Sequence, residues 1–355
     1  MKTIVLTGGG SSGHVTPNIA LLPGLRRAGY TIHYIGSHSG IEKQLIEKEG
    51  IPYHSISTGK LRRYFDLKNI TDVFRVIAGL RQAYVLLGKI KPLAVFSKGG
   101  FVSCPVVWAA WLRGIPPVIH ESDITPGLSN RLSMPFARKV CYTFPESEPH
   151  IPPGKGIRTG MPIREGLLAG SRAEGKKICG FGNAKPVVLV MGGSLGSERI
   201  NSVVRNTLDI LLKDFNICHI CGKGNLSREL ENMTGYRQFG YVNEELPHLY
   251  ALADLVVSRA GATVLCEILA IGKPSLLIPL SRAASRGDQI QNAASFEKNK
   301  YGMVLPEENL NGESFIKAIY ELKASASTFT EAMKKNPHVN GTSAVLETLE
   351  SVING

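Results

Sequence analysis

The chain has 355 residues, of which 43% are hydrophobic and 20% are charged, and its formal net charge at pH 7 is +12. This length allows two domains of ordinary size, and the composition is that of a globular protein rather than a disordered or fibrous one. We expect no secretory signal and no membrane-spanning helix, because the most apolar long window, 101–119, is interrupted by three prolines and an arginine.

The six cysteines predict neither a disulfide framework nor a metal site. They lie mostly in apolar runs of a chain far longer than disulfide-stapled domains, which predicts reduced core thiols in a cytoplasmic protein. Cys218 and Cys221 have a C-x-x-C spacing but no second ligand pair, so we expect no zinc or redox chemistry there.

The positive charge is concentrated in the first half of the chain. Residues up to Ile163 include 20 Lys and Arg against 9 Asp and Glu, whereas the remainder has 21 against 20. In that half, the segments 59–65 and 74–81 mix cations with aromatic and aliphatic residues, a composition typical of segments that lie among lipid headgroups. The alternative is a solvated basic helix that packs by its apolar stripe. No nucleic-acid module signature is present.

Strands and helices alternate through the first half. The first strand, 4–7, runs into four glycines within six residues and then into a helix, whose first N–H groups could bind an anion. Alternating βα units imply a parallel sheet that binds ligands at the carboxyl ends of its strands. The further predicted strands are 31–35, 53–56, 93–97, 117–120 and 140–143, and the predicted helices are 19–28, 41–49, 67–90, 102–112 and 128–136.

The glycine turn matches neither of two common nucleotide-binding motifs. Gly8, Gly10 and Gly13 satisfy G-x-G-x-x-G, but the second strand ends without the acidic residue that would hold a ribose. The first carboxylate is Glu42, on the next helix. The turn does not match a Walker phosphate-binding loop either, because His14 occupies the position at which that motif requires lysine. What remains is a ligand-binding turn that ends in a histidine, a candidate base.

The second half repeats this pattern after a junction rich in proline and glycine at 145–160. Two similar α/β domains in tandem, each opening with a glycine turn, are predicted to face each other across a ligand-binding cleft. The predicted elements are strand 187–191, the glycine turn 192–196, helix 198–212, and strands 217–220, 238–241, 255–258 and 275–278.

The most specific cluster is the segment 258–267. A strand ends at Ser258, small residues follow, and a helix begins near Thr263, so that its first N–H groups could hold a pyrophosphate. Glu267 lies one turn further along the same helix face, where its carboxylate could accept both hydroxyls of a ribose.

Together these motifs resemble a known family. The chain resembles MurG, the UDP-N-acetylglucosamine:N-acetylmuramyl-(pentapeptide) pyrophosphoryl-undecaprenol N-acetylglucosamine transferases of glycosyltransferase family 28, over about residues 3–300. The segments that carry the resemblance, in order and with compatible spacing, are Gly8–His14, Ser97–Ser103, His120–Glu121, Gly160–Arg164, Gly192–Gly196, Arg259–Glu267 and Asp288–Ala293.

The resemblance implies an α/β fold of the GT-B type, in which two Rossmann-like domains with doubly wound parallel sheets face each other across a cleft. It assigns residues 1–162 to an N-terminal domain that binds the acceptor and faces the membrane, and 163–340 to a domain that binds the UDP-sugar. Residues 341–355 would form a helix that packs back on the first domain. We expect no cofactor and no metal, because the chain lacks an Asp-x-Asp motif and helix N-termini with Arg164 could stabilise the departing diphosphate.

The implied activity is transfer of N-acetylglucosamine from UDP-N-acetylglucosamine to the C4 hydroxyl of undecaprenyl-diphosphate-linked MurNAc-pentapeptide, with inversion, in peptidoglycan synthesis. An anionic membrane surface is then a partner and nucleic acid is not, and the expected location is peripheral, on the cytoplasmic face of the bacterial cell membrane. The alternatives are a UDP-N-acetylglucosamine epimerase, a transferase with a diacylglycerol acceptor, and a non-catalytic membrane-associated scaffold.

The resemblance also assigns site residues by position. His14 and Glu121 are the catalytic candidates, with His14 as the base that acts on the acceptor hydroxyl. The chain departs from the family pattern at Asp123 and Met161, where many members have asparagine. The residues expected to bind UDP-N-acetylglucosamine are Ser11, Ser12, Gly13, Asp123, Arg164, Ser194, Val242, Ala262, Thr263, Glu267 and Gln289.

Several of these residues also have a purely structural interpretation. His14 could cap the following helix by hydrogen-bonding a carbonyl, and Glu121 could support its loop from behind. Arg164 could form an interdomain salt bridge. Residues 288–289 could be N-cap residues of the helix that follows them, and Arg259 could support its loop without touching phosphate.

Overall fold

The computed structural model describes residues 2–59, 68–193, 196–282, 285 and 287–355. The chain divides into two compact units, residues 1–164 with 340–355, and residues 165–339. The second unit is therefore an insertion into the first. Each unit has a parallel sheet and a hydrophobic core of its own.

The first unit carries a sheet of seven parallel strands among its described residues. These strands are Lys2–Thr7 (β1), Tyr30–Ser37 (β2), Tyr53–Ile56 (β3), Ala94–Ser97 (β4), Pro117–Glu121 (β5), Lys139–Tyr142 (β6) and Gly156–Arg158 (β7). Their order across the sheet is β3-β2-β1-β4-β5-β6-β7. The direction of winding reverses between β1 and β4, which is where doubly wound sheets bind their ligands.

Helices cover both faces of this sheet because the side chains of β1 that point to each face are apolar. Ile4 and Leu6 belong to one core cluster with helix Thr16–Arg27 and the C-terminal helix Thr342–Asn354, whereas Val5 packs in a second cluster with helices Lys68–Ile90 and Ser103–Leu112. The helices of this unit are Thr16–Arg27 (α1), Ile41–Lys48 (α2), Lys68–Ile90 (α3), Ser103–Leu112 (α4), Leu128–Ser133 (α5) and the C-terminal helix Thr342–Asn354.

The second unit repeats the architecture with six strands in its described part. They are Val187–Met191 (β8), Asn216–Ile220 (β9), Tyr236–Phe239 (β10), Leu255–Ser258 (β11), Ser275–Leu277 (β12) and Gly302–Val304 (β13). Their order is β10-β9-β8-β11-β12-β13, with the reversal between β8 and β11. The helices are Glu165–Leu168 (α6), Arg172–Cys179 (α7), Glu198–Asn206 (α8), Leu208–Leu211 (α9), Leu246–Leu252 (α10), Ala262–Ile271 (α11), Asp288–Lys298 (α12), Gly312–Ala324 (α13) and Ala326–Lys334 (α14).

The predicted pair of Rossmann-like domains with parallel sheets is confirmed, and so is the burial of the cysteines. The predicted helix 198–212 is wrong in one respect, because it is interrupted at Thr207. The Thr207 hydroxyl donates to the carbonyls of Val203 at 2.9 Å and Val204 at 3.0 Å, a contact that disturbs the helical hydrogen-bond ladder. Strand β10 begins two residues earlier than predicted, at Tyr236.

Candidate active site

The glycine turn of the first unit lies at the switch point of its sheet. The Gly9 N–H donates to the Gly99 carbonyl at 3.3 Å, so the turns after β1 and β4 contact each other. A Cβ at Gly100 would lie 2.1 Å from the Gly9 oxygen, and Gly10 has a φ of +87°, which glycine adopts most readily. Glycine is therefore required for this close approach. The chain then forms a 3-10 turn at Ser12–His14 that leads into α1.

His14 is half-buried at the end of that turn. Its Nδ1 lies 3.0 Å from the Gly9 carbonyl oxygen and 3.2 Å from Ser11 Oγ. Because a carbonyl only accepts, Nδ1 carries the proton, and the lone pair of the neutral imidazole is on Nε2. That is the form a general base needs. The contact with a carbonyl is thus present, and it is compatible with catalysis through the other ring nitrogen.

Glu121 is 3% exposed at the end of β5, and four donors meet its carboxylate. Oε1 accepts from the N–H groups of Ser122 at 2.8 Å and Asp123 at 2.9 Å. Oε2 accepts from Gly127 N at 3.1 Å and Asn130 Nδ2 at 2.9 Å. The pKa of Glu121 is raised, chiefly by burial and then by the Asp123 carboxylate, and the hydrogen bonds from the Asp123 N–H and Asn130 oppose this rise. The contacts favour support of the loop 122–127 over a catalytic role.

The other predicted residues of the first unit lie in or beside these loops. Ser11 is exposed in the glycine turn, and Ser12 and Gly13 are half-buried there. Asp123 lies two residues after Glu121, and its carbonyl accepts from Ser147 Oγ at 3.1 Å. Arg164 is half-buried at the end of the unit.

A cavity of about 700 Å³ opens at the switch point of the second sheet. The turn after β8 and the turn after β11 both line it, and its volume is in the range of small-ligand sites. Three of the predicted residues, Val242, Glu267 and Gln289, are brought together in its wall. Ser194 lies outside the described residues.

The N-terminus of α11 lies at this cavity. Gly261 is the N-cap and offers no side-chain capping bond, so the first N–H groups of the helix, from Ala262 and Thr263 onward, need other partners. Gly261 and Val264 line the cavity. Unsatisfied N–H groups and the helix dipole together favour a phosphate at this position.

Two contacts in the cavity wall were not predicted from the sequence. The Tyr250 hydroxyl donates to Glu267 Oε2 at 3.2 Å, which fixes the carboxylate assigned to the ribose. Gln289 Oε1 accepts from Leu280 N at 3.1 Å, which leaves its Nε2 in a position to donate to a ligand. The predicted N-cap role of residues 288–289 is wrong, because Gly287 is the N-cap of α12.

Arg259 connects the loops that line the cavity. Its guanidinium donates to Ser197 Oγ at 2.7 Å and to the Ile278 carbonyl at 3.1 Å, and it pairs with Glu307 Oε1 at 2.5 Å. Glu307 Oε2 also accepts from Ser281 N at 3.3 Å. These contacts favour the loop-supporting interpretation of Arg259 and add Glu307, which no local pattern had indicated.

Two family descriptions match the chain. The glycosyltransferase family 28 N-terminal domain matches residues 4–142, and the family 28 C-terminal domain matches residues 187–349. The chain belongs to glycosyltransferase family 28. It is therefore a hexosyltransferase.

Relatives in family 28 match the chain over nearly its whole length. The UDP-N-acetylglucosamine--N-acetylmuramyl-(pentapeptide) pyrophosphoryl-undecaprenol N-acetylglucosamine transferase of Clostridium kluyveri is 57% identical over 350 residues, 99% of each chain. The protein of the same name from Geobacillus thermodenitrificans is 56% identical over 353 residues, covering 99% of this chain and 98% of its own.

Solved structures show the same fold. The crystal structure of Acinetobacter baumannii MurG superimposes with a TM-score of 0.78 at 22% identity, covering 99% of this chain and 100% of its own. UDP-GlcNAc 2-epimerase from Neisseria meningitidis, bound to UDP-GlcNAc, gives a TM-score of 0.66 at 15% identity over 99% and 100% of the two chains. Because transferase and epimerase share the fold, the fold alone does not separate these two activities.

Proposed function

We propose that this family 28 enzyme transfers N-acetylglucosamine from UDP-N-acetylglucosamine to the C4 hydroxyl of MurNAc-pentapeptide carried on undecaprenyl diphosphate. The main support is the name shared by relatives that are 56–57% identical over 98–99% of both chains. The epimerase is similar only at 15% identity, so its activity is not favoured.

The geometry of the second unit supports binding of the donor in its cavity. The N–H groups at the start of α11, at Ala262 and Thr263, would hold the diphosphate, together with Ser194, which lies outside the described residues. Glu267, fixed by Tyr250, would accept the ribose hydroxyls, a charge-assisted contact that neutral side chains do not replace fully. Val242 and the Gln289 amide complete the wall. Ser11, Ser12, Gly13, Asp123 and Arg164 remain proposed donor contacts from the first unit.

The chemical step is a single displacement. The C4 oxygen of the acceptor bonds to C1 of N-acetylglucosamine while the bond from C1 to the UDP oxygen breaks, and UDP leaves with the electron pair. His14 Nε2 takes the proton of the C4 hydroxyl. One in-line displacement inverts the anomeric centre, so an α-linked donor gives a β-linked product. We assign Glu121 to loop support rather than to proton transfer.

A second cavity supports binding of the acceptor in the first unit. It has a volume of about 530 Å³ and lies at the carboxyl ends of β1 and β2, next to the glycine turn. Gly10, His38, Arg75 and Phe101 are among its lining residues. A wall that combines an aromatic ring, a guanidinium and an imidazole suits a sugar attached to a diphosphate.

The exposed face of α3 supports an anionic membrane surface as a partner, and with it a peripheral location on the cytoplasmic face. Phe74 is 68% exposed and Ile77 is 57% exposed, with the cations Arg75 and Arg81 beside them in sequence. The basic residues of the segment 59–65 lie outside the described part. None of the described helices has the length and apolar character needed to cross a bilayer.

Replacing Phe74 and Ile77 together by serine is expected to weaken binding to anionic vesicles at least 10-fold, since each apolar side chain that enters the interface contributes roughly 1 kcal/mol or more. Sedimentation with phosphatidylglycerol vesicles measures this. Leu226→Ser with Ile210→Ser removes two exposed apolar side chains from the second unit and is the control. Equal binding by both double variants would remove α3 as the membrane contact.

The transfer assay tests the proposed function. Labelled UDP-N-acetylglucosamine is incubated, with EDTA present, with a short-chain polyprenyl-diphosphate MurNAc-pentapeptide or with diacylglycerol. We expect label on the first acceptor alone. Label on diacylglycerol, or epimerised donor without transfer, would each replace the proposal with the corresponding alternative.

A further inference from the structure

A buried carboxylate lies beneath the glycine turn of the first unit. Glu42 is the second residue of α2, and its side chain is completely buried. Within the described ranges it forms no ion pair. A buried carboxylate without a cation lowers the free energy of unfolding, so neutral donors have to stabilise it and a role beyond packing is indicated.

Those donors come from two neighbouring segments. Oε1 accepts from the Ser37 N–H at 3.2 Å and from the Ser37 hydroxyl, at the end of β2. Oε2 accepts from the Gly10 N–H at 3.2 Å. The carboxyl group is enclosed by two glycines, because a Cβ at Gly9 would lie 2.7 Å from Glu42 atoms and one at Gly40 would lie 2.1 Å away. Larger residues at these positions would displace the carboxylate.

One peptide group connects this carboxylate to the candidate base. The Gly9 carbonyl and the Gly10 N–H belong to the same planar peptide unit. Its oxygen accepts from His14 Nδ1 at 3.0 Å, and its N–H donates to Glu42 Oε2 at 3.2 Å. The carboxylate, the peptide and the imidazole therefore form a continuous hydrogen-bonded chain, in which each bond polarises the next.

We propose that Glu42 is a positioning residue for His14 and acts on it through the Gly9–Gly10 peptide, an inference that rests on the proposed role of His14 as base. The carboxylate orients the peptide so that its oxygen holds the Nδ1 proton and Nε2 keeps the lone pair. Its negative charge also stabilises the imidazolium that forms when Nε2 takes the proton of the C4 hydroxyl. No proton moves to Glu42.

This arrangement differs in a single respect from the catalytic triad of hydrolases. In hydrolases with a catalytic triad, a carboxylate accepts directly from the Nδ1–H of the catalytic histidine and fixes its tautomer. Here a peptide group lies between the carboxylate and the imidazole. The effect of the charge on His14 is therefore transmitted over two hydrogen bonds and is expected to be smaller than in a triad.

Glu42→Gln tests the contribution of the charge, because glutamine keeps the shape and one acceptor oxygen. We expect kcat to fall roughly 10- to 100-fold, the range for groups that orient a histidine through a hydrogen bond, with KM for UDP-N-acetylglucosamine changed less than about twofold. Glu47→Gln is the matched control, because Glu47 is exposed on the same helix and pairs with Lys43 at 4.0 Å. The control should keep the wild-type kcat.

A double variant separates this inference from the proposed function. If Glu42 acts only through His14, then adding Glu42→Gln to His14→Ala lowers kcat no further than His14→Ala alone. A loss in the double variant equal to the product of the two single losses overturns the role of Glu42. So does a wild-type kcat for Glu42→Gln if His14→Ala alone is inactive. A wild-type kcat for His14→Ala instead overturns the assignment of the base.

A measurement on the wild-type enzyme keeps the inference falsifiable if Glu42→Gln does not fold, which thermal unfolding would show. The ¹⁵N spectrum of histidine-labelled protein at neutral pH should show His14 protonated at Nδ1 and bare at Nε2. The opposite tautomer would mean that the Gly9 carbonyl does not hold the Nδ1 proton, and it would overturn the inference.

Discussion

Replacement of His14 by alanine is expected to lower kcat by roughly 10²- to 10⁴-fold, the range for loss of a general base. Its Nδ1 is tied to the Gly9 carbonyl at 3.0 Å, so Nε2 is the nitrogen left to take the proton of the acceptor hydroxyl. KM for UDP-N-acetylglucosamine should change little, because the cavity residues of the second unit are untouched. Initial rates at saturating donor and acceptor measure the loss.

Two further variants sharpen this experiment. His14→Asn retains an N–H donor for the Gly9 carbonyl but has no basic nitrogen, so it should be as slow as alanine while keeping the turn intact. His150→Ala removes an exposed histidine of the same unit and should leave kcat unchanged. A rate for His14→Asn close to that of the wild type would mean that the histidine only holds the turn.

Glu307→Ala is expected to lower the free energy of unfolding of the second unit by about 3 kcal/mol, the lower end of the range for a broken buried ion pair. The variant leaves the Arg259 guanidinium buried without its carboxylate, and it also removes the acceptor of the Ser281 N–H. For a unit of this size such a loss corresponds to a fall in Tm of roughly 6 to 12 °C. Calorimetry of the whole chain measures it.

The matched control is Glu321→Ala, which breaks the exposed pair with Lys317 at 3.9 Å on α13. Exposed pairs on a helix contribute only about 0.3 to 0.5 kcal/mol, so Tm should hardly move. Replacing Arg259 and Glu307 together by leucine should recover part of the stability, since no charge is then left unpaired. If Glu307→Ala and Glu321→Ala shift Tm equally, the buried pair contributes no more to the free energy of unfolding than an exposed pair does.

The sequence predicted the sheets well where the apolar runs are long. The two strands that it missed, Gly156–Arg158 and Gly302–Val304, are edge strands of three residues, too short to show a period of two. The predicted start of strand β10 was two residues too late because its first residue, Tyr236, follows a turn rather than an apolar run.

In the candidate site, too, local features were predictable from the sequence and tertiary contacts were not. The glycine turns and the start of α11 were predictable, because strand, glycine and helix follow each other within a few residues. From the sequence, Glu42 is only the first carboxylate after the second strand. Its contact with the Gly10 N–H depends on how α2 packs under the glycine turn, which the sequence does not show. The pairing of Arg259 with Glu307 joins positions 48 apart in sequence, so only the tertiary structure shows it.

The insertion of the second unit into the first has a practical consequence for dissecting the gene. The two points where the chain leaves and re-enters the first unit are hydrogen-bonded to each other, Ile163 N to Asn340 Oδ1 at 3.3 Å and Gly341 N to the Met161 carbonyl at 2.7 Å. A spacer of about three residues, which spans up to roughly 10 Å, is enough to join them. Residues 165–339 can thus be excised as a single cassette, and the first unit is encoded as one polypeptide that still ends in its own C-terminal helix.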